Sequence, residues 1–188
     1  MIHSGRFTAL LDANVLYPAP VRDFLLHLAN LDLYKPKWTS EIHEEWIRNL
    51  LRNRPDLTRE ALERTQSAMD SAFPDANIDG YKDLISAINL PDKDDRHVLA
   101  AAIRGKADVI VTWNIKDFPA KSLSTYDLEV QTPDEFISNL VHLDRKNCLK
   151  ALQNQVKSLK SPPKTRDDVL QTLLNCGLSK SIGLLKDV

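Results

Sequence analysis

Cysteine is scarce in this chain of 188 residues, which carries only Cys148 and Cys176. Two thiols cannot staple a secreted scaffold, and free thiols fit a reducing cytoplasm. No apolar run reaches the roughly 18 residues that a membrane helix needs. The opening stretch, MIHSGRFTALLDANVLYP, lacks a basic region followed by an apolar segment and a small-residue cleavage site. Internal repeats and low-complexity stretches are also missing. His3, His27, His43 and His142 show no metal-ligand spacing, and no Ser or Cys nucleophile pattern accompanies His97. These absences lead us to expect a soluble cytoplasmic protein with no membrane partner. With 43% hydrophobic and 27% charged residues, the chain can still bury a real core.

Charge is unevenly spread behind a net value of -1. Residues 1–140 hold 16 Lys and Arg against 22 Asp and Glu, whereas residues 141–188 hold 9 against 4. An acidic body suits a cation, and a basic tail suits a polyanion or an acidic partner. The expected organisation is one domain over 1–140 with a helical extension over 141–188, interrupted by a linker at Pro162 and Pro163.

Hydrophobic periodicity sketches the elements. Phe7 to Leu11 and Ala107 to Val111 read as buried parallel strands that end at Asp12 and Thr112. Leu128 to Val130 reads as a last strand. Helical spacing runs from Val21 to Ala29, through SEIHEEWIRNLLRN with Ser40 as N-cap, and through TREALERTQSAMDSAF with Thr58 as N-cap. It continues through DKDDRHVLAAAIRGK and from Asp134 to about Leu159. Alternating strands and helices predict a parallel sheet covered on both faces.

Ligands of such sheets bind beyond the C-terminal strand ends. Asp12 and Asn14 follow one strand there, and Thr112, Asn114 and Asp117 follow another. An Asp closing an apolar strand is costly to bury unless it is paired or holds a metal. Glu41, Glu44 and Glu45 share a helical turn, and Asp92, Asp94 and Asp95 open the next helix, where capping and dipole compensation would also explain them. Asp12, a Glu near 45, an Asp near 95 and Asp117 come from four segments that one sheet end can gather. A site of carboxylates without His or Cys suits Mg²⁺ or Mn²⁺.

The segments LLDANVLYP, SEIHEEW, DKDDRHVLAAAI and VIVTWNIKDFP together resemble the PIN-domain nucleases, and among them the VapC-type ribonuclease toxins of bacterial toxin–antitoxin pairs. The likeness runs from Phe7 to roughly Leu140. It implies a three-layer α/β/α sandwich, cleavage of single-stranded RNA with Mg²⁺ or Mn²⁺, a cognate antitoxin and a homodimer. The family's acids fall on Asp12, Glu45, Asp95 and Asp117. Glu44 competes with Glu45, and Asp94 with Asp95; the motif's Glu precedes an apolar residue, here Trp46, which favours Glu45. Asp12, Asp95 and Asp117 would hold the cation, while Glu45 would hold a second one or orient water. Asn14, Thr112 and Asn114 would fix the carboxylates.

Substrate contacts are expected from Arg48 and Arg52, which share a helix face within a cluster that also holds Arg54, Arg59 and Arg64. Local ion pairs, Glu44 with Arg48 and Glu60 with Arg64, would instead make it a solvated surface. Trp113 is the best base-stacking candidate, Trp46 reads as core, and Cys148 reads as a small buried hydrophobe. The tail carries an apolar face of Val169, Leu170, Leu173, Leu174, Leu178 and Leu184 that must dock on the body, a second copy, an antitoxin or, through its charge, RNA. Two other readings stay open: a Mg²⁺-dependent phosphatase or phosphotransferase, and a PIN-fold binding module for RNA or protein without turnover.

Overall fold

The computed structural model describes residues 7–186; His3 and the first residues of the opening stretch lie outside it. Four parallel strands form the sheet, in the order β2-β1-β3-β4. They are β1 (Thr8–Leu11), β2 (Lys35–Lys37), β3 (Val109–Val111) and β4 (Glu129–Gln131). The central strands are the two apolar runs read from the sequence, paired with Leu10 opposite Ile110 and Leu11 opposite Val111. Burial on both faces leaves Leu10, Leu11, Ile110 and Val111 fully covered. Sequence patterning missed β2, because Lys-Pro-Lys has no strand propensity. Its place at the sheet edge tolerates the proline.

Between the strands lie α1 (Ala13–Leu16), α2 (Ala19–Asn30), α3 (Ser40–Asn53), α4 (Arg59–Ala72), α5 (Arg96–Arg104) and α6 (Ala120–Leu123). The result is an α/β/α sandwich with the expected parallel sheet. Two boundaries differ from expectation. The N-cap of α3 is Thr39 rather than Ser40, its side chain accepting from the Ile42 N–H at 3.1 Å. The helix α5 starts at Arg96, so Asp92, Asp94 and Asp95 precede it, and Asp95 makes no side-chain capping bond. Capping therefore does not explain Asp95.

The long C-terminal helix α7 (Pro133–Ser158) opens with a Thr132–Glu135 capping box and breaks at Asp144, whose backbone is not helical. Two shorter helices follow, α8 (Arg166–Asn175) and α9 (Ser179–Lys186). They fold back onto α7 and α2. Val169, Leu170, Leu173 and Leu178 of the predicted apolar face are buried, while Leu174 and Leu184 are half-buried. That face is thus used within the chain and is not open to an antitoxin or a second copy. Polar anchors reinforce the docking. Asp134 in the first turn of α7 accepts from Lys180 N–H at 2.9 Å, Ser181 N–H at 2.8 Å and the Ser181 hydroxyl at 2.7 Å. At the other end of α9, Arg145 donates to the Leu184 carbonyl and Arg166 to that of Leu185.

Candidate active site

Asp12 stands where β1 ends, and its N–H still bonds the Val111 carbonyl at 3.1 Å. The side chain is 4% exposed and almost fully engaged. One oxygen, Oδ1, caps α1 by accepting from Ala13 N–H at 2.7 Å. The other, Oδ2, accepts from the Thr112 hydroxyl at 2.7 Å and from Asn14 Nδ2 at 2.8 Å. Asn14 in turn accepts the Trp113 N–H at 3.1 Å, and Thr112 Oγ1 accepts the Asn114 N–H at 3.1 Å. Each predicted supporting residue joins one network, Asn114 through its backbone. Burial raises the Asp12 carboxyl above its ordinary value and the Glu45 charge adds to this, against the Thr112 and Ala13 bonds and the charge of His97.

The other acids meet Asp12 through their charges. Asp95 is pushed up to about 6, first by burial and then by Asp12, Asp92, Asp117 and Glu45. Those carboxylates share one field at the C-terminal end of the sheet. Glu44 points elsewhere. Both oxygens of Glu44 take the guanidinium of Arg59 at 3.0 Å, out on α4. Asp94 is exposed, and its N–H donates to Asp92 Oδ1 at 2.9 Å.

Two residues at this centre were not singled out as site residues. Buried His97 lies with Nε2 at 3.7 Å from Glu45 and Nδ1 at 4.0 Å from Glu41. Burial pulls its pKa down, but Glu45, Glu41 and Asp12 outweigh that and hold it above the ordinary value. Arg22, 6% exposed, donates to the Leu16 carbonyl at 3.0 Å and lies 5.0 Å over the Trp46 ring. It ties the end of α1, which follows Asp12, to α3, which carries Glu45. The signal was present: three and seven residues before Leu25 and Ala29, Arg22 falls on the apolar face of α2.

The arginine cluster divides. Arg54 is paired with Asp56, and Arg59 with Glu44 and Glu63. Arg48 and Arg52 are exposed and have no ion pair among the described residues. Neither expected local pair closes within 4 Å among the described residues: Glu44 bonds Arg59 and feels Arg48 only through its charge. Trp38 and Trp46 are fully buried and cannot stack on bases. Trp113 is half-buried, with the outer end of its ring beside Gly177 of the C-terminal unit. A cavity of about 590 Å³ sits instead at the opposite strand ends, lined by Phe7, Asp108, Glu129 and Leu143, and holds none of these acids.

The donor chemistry fits a hard cation. The acids are oxygen donors, Asp12 among them is buried, and Asp95 is raised by like charges that a cation would offset. As the side chains stand, no three His, Cys, Asp or Glu residues among those described gather closely enough to ligate one ion. The fit therefore rests on donor type and shared field, with the coordination shell not preassembled.

The sequence profile of the PIN domain matches residues 8–116, more than half of the chain, and spans β1 through the segment after β3. The chain belongs to the PIN-domain family. Its PIN domain is followed by a second match, to the VapC50 C-terminal domain over residues 133–187, which takes in α7, α8 and α9. The chain is also similar to the Mycobacterium tuberculosis protein named "Putative ribonuclease VapC50", at 40% identity over 94 residues. That stretch is 50% of this chain and 55% of the relative, so the chain spans about half the relative's length. No solved structure gave a significant match. Among the described residues, no helix of this PIN-domain protein is long and apolar enough to cross a membrane.

Proposed function

We propose that this PIN-domain protein is a divalent-metal-dependent endoribonuclease that hydrolyses phosphodiester bonds of single-stranded RNA or RNA loops. In this reading it is the toxin of a cytoplasmic toxin–antitoxin pair, with a cognate antitoxin and a homodimeric assembly. The observation that carries the reading is the buried, triply hydrogen-bonded Asp12, which feels Glu45, together with Asp95, which feels Asp12, Asp117 and Glu45. When bound, Mg²⁺ or Mn²⁺ supplies charge to offset the phosphate and lowers the pKa of water.

The chain's residues do the rest. Asp12, Asp95 and Asp117 would hold the cation, and Thr112 and Asn14 keep Asp12 in one rotamer. Glu45 is half-exposed beside His97, where it can orient the attacking water in line with the leaving oxygen. Arg48 and Arg52 follow Glu45 by three and seven residues on α3, on its side of the helix, and neither makes an ion pair within 4 Å among the described residues, although the charge of Arg48 acts on Glu44. They suit the phosphates that flank the cleaved bond. No covalent enzyme intermediate is needed.

The test is cleavage of total cellular RNA by wild type and Asp12→Asn, with Mn²⁺ or Mg²⁺ and then with EDTA. Discrete fragments requiring both the metal and Asp12 are expected. Intact RNA with tight binding in every condition would favour the binding module, and a burst of aspartyl-phosphate would favour the phosphatase.

A further inference from the structure

The C-terminal unit reaches the acid cluster through Trp113. Gly177 lies in the turn between α8 and α9 with φ +96°, a conformation that L side chains rarely adopt. A Cβ there would stand 3.1 Å from Trp113 Cη2, 3.5 Å from Cζ3 and 3.8 Å from Cζ2, so the turn fits closely against the outer end of the indole with little room for a side chain. The turn itself is held from both ends of α9. Asp134 takes the two N-terminal N–H groups, and Arg145 and Arg166 take the C-terminal carbonyls. Because Asp134 directly follows β4 and the α7 cap, the anchor is built on the same sheet end as the acids.

Trp113 passes this restraint inward. Its N–H donates to Asn14 Oδ1 at 3.1 Å, and Asn14 Nδ2 donates to Asp12 Oδ2 at 2.8 Å. Thr112, next in the chain, donates to the same oxygen at 2.7 Å. Displacing residue 113 would therefore disturb two of the three donors that set Asp12.

We propose that the C-terminal unit is a positioning element of the metal site, acting from the Gly177 turn through Trp113 and Asn14 on Asp12. This rests on the metal-nuclease reading above and gives the tail a role other than partner binding. Trp113 is then a positioning residue, with the outer end of its ring against the Gly177 turn.

The test uses full-length protein and Mn²⁺ binding by isothermal titration calorimetry without RNA, alongside RNA cleavage. Trp113→Ala and Gly177→Val, checked for a cooperative melt, should each weaken Mn²⁺ binding about 10–100-fold, the usual effect of removing an outer support. Trp113→Phe, which keeps a ring under the turn, should stay close to wild type. If either variant does not melt cooperatively, Trp113→Leu and Gly177→Ala carry the same comparison. A stacking platform for bases would raise KM for RNA and leave Mn²⁺ affinity intact, which overturns the proposal. Unchanged affinity in folded variants also overturns it, while Asp12-dependent Mn²⁺ binding by wild type leaves the nuclease reading standing. Wild type that binds no Mn²⁺ removes both.

Discussion

Replacing Asp95 by Asn should make the metal-free protein more stable. The carboxyl is moved from 3.8 to about 6 by burial and by Asp12, Asp92, Asp117 and Glu45. A shift of that size corresponds to at most about 3 kcal/mol when the group is ionised. Asp95 is only partly buried, so solvent screening reduces this to about 1–1.5 kcal/mol. The substitution removes no side-chain capping bond, which leaves charge as the main change. Urea melts in EDTA at pH 7.5 should show that gain, and thermal melts a Tm higher by about 3–5 °C for a chain of this size. The sign fixes the pH dependence. The folded state holds this proton more tightly than the unfolded chain, so stability is lost as pH rises from 3.8 through about 6. The advantage of Asp95→Asn should therefore shrink to about a third at pH 4.5. Millimolar Mn²⁺ should reverse the order, because only wild type keeps the full ligand set. A variant less stable than wild type in EDTA, or an advantage that ignores pH, would refute the reasoning.

Two further outcomes follow from the same geometry. The double substitution Arg48→Gln and Arg52→Gln should raise KM for RNA about tenfold with kcat little changed, and should lower the salt slope of binding by about 1.4, read by fluorescence anisotropy. Native protein treated with a thiol reagent should be modified at half-buried Cys176 well before Cys148, whose thiol is fully buried and pushed up to about 12. Equal rates in a quench-and-digest experiment would show that the core around Cys148 opens readily.

The central strands were legible because burial on both faces demands uninterrupted apolar residues, which β1 and β3 supply. Asp12 was legible as the polar stop to such a run. The strand Lys35–Lys37 was not, since Lys-Pro-Lys pairs through its backbone and carries no apolar run to mark it, unlike the other edge strand, which Leu128 and Val130 reveal. His97 was set aside because no Ser or Cys nucleophile pattern accompanies it, and the acids it lies beside, Glu41 and Glu45, come from another helix. Asp95 sits on the cap before α5, outside the helical periodicity, so His97 and Asp95 can both approach Glu45. The choice between Glu44 and Glu45 needed the position of Arg59, fifteen residues away in another helix. The tail's apolar face was visible, but its destination was not. Periodicity says that a face must be covered and not by what, and the anchors at Asp134 and Arg145 are set by tertiary placement.

The Gly177 contact also has a consequence in time. A chain is made from its N-terminus, and the last of the four acids, Asp117, precedes Gly177 by 60 residues. At about 5–20 residues per second that gap lasts roughly 3–12 s. Throughout it the carboxylates exist without the turn that bears on Trp113. A nascent chain would thus carry every acid before its site is braced, and the later α8 and α9 would complete it.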